Sequence, residues 1–170
     1  MIDSLQSRSA AEGDPDRPTG EYITGRLAKA VATKGLCARG LTQVVPELVE
    51  VLRPEYQYPK AKLIARAKLA EKDIVEAIER LATRYHPKED DEALRAAKLL
   101  ALRILFGIDT DYRWNDAATR REASGQALAL SPRAMQVWQC RYVDDLYWAL
   151  DDLGMIRKLD GEHSDVREVQ

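Results

Sequence analysis

Residues 115–153 read NDAATRREASGQALALSPRAMQVWQCRYVDDLYWALDDL, and this stretch gives the clearest structural signals in the chain. It predicts two helices joined by a tight turn at residues 128–131. Ser131 followed by Pro132 is a strong helix start, because a serine side chain accepts from a free backbone N–H and a proline at the first helical position loses no hydrogen bond. Gly154 is a typical helix stop. The arrangement is that of a helix-turn-helix.

The second of these helices has one face that we expect to be buried. Its apolar residues recur at spacings of three or four, which places them on one side of a helix. We also expect Trp138 to share one core with Phe106, and Asn115 to cap the first helix. The predicted buried face consists of Met135, Trp138, Tyr142, Leu146, Ala149 and Leu153.

The composition favours an all-α protein. Hydrophobic residues make up 45% of the 170 positions, helix formers dominate, and Gly and Pro are sparse between residues 60 and 153. The formal charge of −2 argues against a nonspecific polyanion binder but permits a local basic face. Cys37 and Cys140 match no metal or redox spacing, so we expect free thiols. With no membrane-length apolar run and no signal peptide, we expect a cytoplasmic protein.

The chain is expected to form one helical domain over residues 21–154, with the helix-turn-helix at residues 115–153. Residues 1–20 are polar, small and rich in Gly and Pro, and they are expected to form a disordered arm. Residues 155–170 are charged and mixed, and they are expected to form a flexible tail. The fold class that we predict is an all-α bundle of about five or six helices ending in the helix-turn-helix.

The helices before residue 115 are predicted from apolar spacing. A helix should begin near Val45 with Pro46 at its first position. Residues 60–85 form either one long helix or two with a break near residues 69–73. Residues 94–106 are apolar on nearly all sides, and such a helix is normally the centre of a bundle.

The sequence offers little for catalysis. His86 and His163 have no partner at metal-ligand spacing, so we expect no metal site and no cofactor. Motifs for nucleophilic catalysis, phosphate loops or dinucleotide binding are absent from the sequence. Acidic doublets such as Asp144-Asp145 are interpreted as solvated helix faces. We therefore expect a non-enzyme.

If the helix-turn-helix binds DNA, the start of its second helix faces the major groove. Residues 112–143 hold five arginines against Asp116 and Glu122, a surplus of three positive charges. The alternative is that the unit packs helices or docks a partner protein, since its last part carries four aspartates that repel phosphate. The groove-facing residues would be Ser131, Arg133, Gln136, Val137 and Cys140, and those placed to meet phosphates Arg120, Arg121 and Arg141.

The segment LRAAKLLALRILFGID, followed after a short connector by TRREASGQALALSPRAMQVWQCRYVDDLYWAL, resembles a helical module common in actinobacterial regulatory and signalling proteins. The likeness covers roughly residues 92–153. It rests on a Leu-Phe-Gly-Ile step, the pair Arg120-Arg121 and the turn at residues 128–131. Such modules are helix-turn-helix variants that often accompany effector or sensor domains. The resemblance implies a regulatory or adaptor role.

Two functions follow as hypotheses. The first is a non-catalytic regulatory protein that binds DNA through the helix-turn-helix, as a homodimer. The second is an adaptor that docks a partner protein through the same module without nucleic acid. The surface of residues 131–141 distinguishes them, because convergent Arg and Gln side chains favour DNA and an exposed apolar strip favours a protein.

Overall fold

The computed structural model describes residues 20–156, and the regular structure in this range is entirely helical. The predicted all-α class is confirmed for these residues. The predicted arm up to residue 19 and the predicted tail from residue 157 lie outside them. The helices are α1 (Gly20–Val31), α2 (Ala38–Val44), α3 (Pro46–Leu52), α4 (Leu63–Tyr85), α5 (Glu92–Leu105), α6 (Ala117–Ala127) and α7 (Pro132–Asp152), with short 3₁₀ turns at Glu55–Gln57 and Glu89–Asp91.

The seven α-helices of the described range exceed the five or six that we predicted. The extra helix is α2, which ends where Val45 adopts φ −135° and ψ 59°. Pro46 then occupies the first turn of α3, as predicted. In α4 the helix runs unbroken through residues 69–73, so the single long helix is the correct alternative.

The centre of the bundle is α4 and not α5. The long helix packs against α2, α3, α5 and α7, and its buried face includes Ile74, Ile78 and Leu81. The prediction for α5 was wrong in its first half, where Leu94 is 56% exposed. Only the last turns of α5 are buried, because its packing partners α4 and α6 cover that end of the helix.

Caps define the last two helices. Ser131 Oγ accepts a hydrogen bond from the Ala134 amide at 3.1 Å, which confirms the predicted start of α7. The cap of α6 is Asp116 and not Asn115, because the Asp116 carboxylate accepts from the Thr119 amide at 2.7 Å. Gly154 ends α7 with φ 69°, a left-handed conformation that glycine adopts without steric cost.

Candidate nucleic-acid interface

The turn between α6 and α7 is tight and is closed by glycine. The Leu130 amide donates to the Gly125 carbonyl at 2.7 Å. A Cβ atom on Gly125 would lie 2.6 Å from the Leu130 carbonyl oxygen and 2.9 Å from Met135 Cγ, so a larger residue does not fit without movement. Ala129 takes a left-handed φ of 55°, which explains why glycine suits this position better. These contacts fix where α7 begins relative to α6.

Most side chains in the first part of α7 are exposed to solvent. Within residues 131–141 only Met135 is buried, and it packs towards α6. An α-helix with its side chains is about 10–12 Å across, and the major groove of DNA is about 12 Å wide. This part of α7 therefore has the exposure that entry into a groove requires. The residues predicted to face the groove are all exposed, namely Ser131, Arg133, Gln136, Val137 and Cys140.

Arg120 does not belong to this surface, and its prediction as a phosphate contact was wrong. The side chain is fully buried. Its guanidinium donates to the Val31 carbonyl and to the Asn115 carbonyl, each at 2.6 Å, and to the Thr33 carbonyl at 3.4 Å. Burial lowers the pKa of Arg120, and carbonyls at the end of α1 compensate for lost water. Arg120 therefore joins α6 to the end of α1.

The remaining predicted arginines give a weaker positive field than the sequence suggested. Arg113 is engaged in an ion pair with Glu71 at 3.1 Å. With Arg120 buried as well, three arginines remain to face Asp116 and Glu122. Of these, Arg133 and Arg141 are exposed and Arg121 is partly exposed. The surplus of three positive charges counted in the sequence therefore falls to one at the surface that a phosphate backbone would meet.

Trp138 lies at the edge of the bundle rather than in its core. Its ring is 36% exposed and stacks on Tyr142 with the centroids 5.8 Å apart, whereas Phe106 is fully buried. The guanidinium of Arg141 lies 4.8 Å from the centroid of the Trp138 ring on the same helix. The prediction of one core for Trp138 and Phe106 was therefore wrong.

A polar cluster joins α4, α5 and α7. Lys98 Nζ donates to the Tyr142 hydroxyl at 2.8 Å and lies 5.1 Å from the centroid of the Tyr85 ring. The Tyr85 hydroxyl donates to Asp145. Burial and this carboxylate raise the pKa of Tyr85, so the hydroxyl keeps its proton. Helical spacing in the sequence gave no signal for a lysine in this position.

Within residues 20–156 no three His, Cys, Asp or Glu side chains gather in a way that could hold a metal ion. None of the helices in that range is long and apolar enough to cross a membrane. Comparison with known proteins gave no match to a family model, a curated protein or a solved structure. Functional inference therefore rests on the residues themselves.

Proposed function

We propose that the protein is a non-catalytic regulatory protein that binds duplex DNA through α6 and α7. One observation carries the proposal: the five residues that we predicted to face the major groove all lie exposed in the first part of α7. The tight turn at Gly125 supports it, because it holds that helix in a fixed direction.

Each exposed side chain has a chemical role in this proposal. Arg133 is suited to the two acceptors of guanine, and Gln136 to the donor and acceptor of adenine. Val137 is 73% exposed and supplies an apolar contact for the methyl group of thymine. Arg121 and Arg141 are left for phosphates, which position the protein without reading sequence.

The small number of available arginines sets the expected salt dependence. Binding to B-DNA weakens with a slope of about −0.9 per phosphate neutralised in a plot of log affinity against log salt. The two arginines assigned to phosphates, Arg121 and Arg141, predict a slope of about −2 per protomer, and about twice that value for a homodimer. The affinity should therefore be moderate and should depend on base contacts.

The experiment is selection from a random duplex pool with the full chain, followed by titration at two salt concentrations. Arg133→Ala with Gln136→Ala should reduce preference for the selected duplex, by about 1–3 kcal/mol per base contact. Arg121→Ala with Arg141→Ala should weaken all duplexes alike and flatten the salt slope. Arg84→Ala is a matched control, because Arg84 is an exposed arginine in the last turn of α4. If no sequence is enriched, the protein is not a sequence-specific DNA reader.

A second candidate function is an adaptor that docks a protein partner on the same face. The exposure of Val137 at 73%, next to the Trp138–Arg141 stack, supports it, since Trp and Arg are enriched in the centres of protein interfaces. The partner would present an apolar pocket with acidic residues around it, to complement Arg133 and Arg141. Co-purification with and without nuclease separates the two functions. A protein partner that survives nuclease and is lost in Val137→Ser would favour the adaptor.

A further inference from the structure

A second surface feature lies at the other end of α6, where an open cavity of about 500 Å³ separates the loop after α1 from the segment that leads into α6. Small-molecule sites commonly have volumes of about 300–1,000 Å³. Three cationic residues line this cavity, namely Lys34, Arg39 and Arg113, together with the indole of Trp114. No ligand site was predicted at these residues from the sequence.

The charge of the cavity suits an anion. Neither Lys34 nor Arg39 forms an ion pair within the part of the chain that the structure describes; Lys34 donates to the Gln43 side chain amide. Arg113 is partly neutralised by Glu71, which is not part of the lining. The carboxylate in the lining is that of Asp116, and it already accepts from the Thr119 amide as the cap of α6. The balance in the cavity is positive.

The aromatic group in the cavity is unusually exposed. Trp114 is 64% accessible to solvent, although the guanidinium of Arg39 lies 4.9 Å from the centroid of its ring. Stacking of a nucleic-acid base on an aromatic side chain contributes about 1–3 kcal/mol. An indole beside Lys34 and Arg39, which have no ion-pair partner among the described residues, is therefore suited to a ligand that joins a planar ring to a phosphate.

We propose that this cavity binds a mononucleotide, with the base against Trp114 and the phosphate between Lys34 and Arg39. A free phosphate would make no use of the indole, and an uncharged aromatic molecule would make no use of the cations. The volume suits one nucleotide rather than a strand. This site is separate from the residues at the start of α7 that we assign to DNA.

The cavity is linked to α6 through Arg120. The Arg120 guanidinium donates to the carbonyls of Thr33 and Asn115, and both residues line the cavity on opposite segments of the chain. A ligand that bridges these two segments binds the folded state, and it should therefore raise the temperature of unfolding, by an amount that grows with the logarithm of its concentration above the Kd. This gives the test a second readout.

The test uses the full chain with Trp138→Phe and Trp148→Phe, which leaves Trp114 as the one tryptophan of the three in the sequence. AMP and ATP should quench its fluorescence saturably, with a Kd below about 1 mM, and should raise the unfolding temperature. Adenosine and inorganic phosphate should each bind at least about tenfold more weakly, because each lacks one half of the recognised group.

Variants assign the binding to the cavity. Lys34→Gln with Arg39→Gln should weaken AMP at least about tenfold, as loss of charge-assisted hydrogen bonds does. Both side chains are exposed, so the variant should fold, and circular dichroism checks this. Trp114→Ala in the otherwise unaltered chain, with binding measured by calorimetry, should weaken the binding of AMP but not that of inorganic phosphate. The control Arg84→Gln should leave binding of AMP unchanged.

Three results would overturn the proposal. One is the absence of saturable quenching by either nucleotide. The second is equal binding of AMP by the Lys34→Gln, Arg39→Gln variant and by its parent. The third is that a single-stranded oligonucleotide binds the cavity far more tightly per site than AMP, which would make it a nucleic-acid contact. None of these measurements includes duplex DNA, so they are independent of the proposed function.

Discussion

The two halves of α7 belong to one continuous helix but have opposite relations to the bundle. In residues 131–141 a single side chain, Met135, is buried. In residues 142–152 five are buried, namely Tyr142, Val143, Leu146, Ala149 and Leu150. The second half packs against α4 and α1 and anchors the helix. The first half is mostly exposed to solvent. The exposed side chains of the first half are therefore held in position mainly by the packing of the second half.

The halves also differ in charge. The exposed charged residues of the first half are Arg133 and Arg141, whereas the second half carries four aspartates, of which Asp152 pairs with Arg80 at 2.7 Å. Trp148, which is 58% exposed, lies among these carboxylates. A nucleic-acid backbone would be attracted to the first half and repelled by the second. The contact proposed for DNA is thus limited to about three turns of helix.

The largest difference between the halves is expected in stability. Leu146 is fully buried in the second half, and Leu146→Ala should reduce the free energy of unfolding by about 2–5 kcal/mol. Val137→Ala in the first half should change it by less than about 0.5 kcal/mol, because the side chain is exposed. Urea denaturation of both variants measures the contrast, and equal losses would mean that the first half is packed as well.

The two neighbouring arginines of α6 should differ in their contribution to stability, because Arg120 is buried and Arg121 is partly exposed. Arg120→Ala should cost about 2–3 kcal/mol, because it leaves the Val31 and Asn115 carbonyls without their charged donor. Arg121→Ala should be neutral within about 0.5 kcal/mol. Urea denaturation again provides the measurement. A neutral Arg120→Ala would show that water replaces the guanidinium and that this residue is not part of the anchor.

Trp138 lies where the two halves meet and gives a sharper test. We expect Trp138→Ala to cost about 1 kcal/mol, since the ring is partly exposed and loses mainly its stacking on Tyr142. Tryptophan in a closed core would cost about 3–5 kcal/mol. Thermal and urea unfolding distinguish these values, and the higher one would move the boundary of the anchor into the first half.

The smallest expected effect concerns the turn that positions the first half. Ala129 adopts φ 55°, which is unfavourable for alanine by about 1–2 kcal/mol, while glycine loses about 0.5–1 kcal/mol of chain entropy on folding. Ala129→Gly should therefore stabilise the protein by about 0.5–1 kcal/mol. Differential scanning calorimetry can resolve this gain. A loss of stability would indicate that alanine makes contacts that outweigh its backbone strain.

The sequence was informative where the controlling interactions are local. Ser131 as a cap, Pro46 at a helix start and Leu146 on a buried face all depend on residues within one or two turns. It was misleading for Leu94, because apolar residues on all sides of a helix do not reveal how far the neighbouring helices extend. The cation at Lys98 was missed since it is held by tyrosines from two other helices.

The burial of Arg120 is likewise a feature that the sequence alone could not reveal. An Arg-Arg pair on a polar helix has the same appearance whether both members face solvent or one is buried. Which arginine is buried depends on the carbonyl groups of Val31 and Thr33, which are 89 and 87 residues away in the chain. Ser131, Arg133 and Gln136 are exposed, as their positions after the cap of α7 indicated, and their contact with DNA stays a prediction.

That long-range contact has a consequence for how the chain can be divided and engineered. The guanidinium of Arg120 donates to the Val31 and Thr33 carbonyls only when the end of α1 is in place. The packing of α6 and α7 therefore depends in part on α1. Transferred to another protein as residues 115–153, the pair would keep the Asn115 carbonyl but would leave the Arg120 guanidinium without its acceptors at the end of α1. We therefore expect α6 and α7 to be retained together with α1 when the chain is divided or transferred.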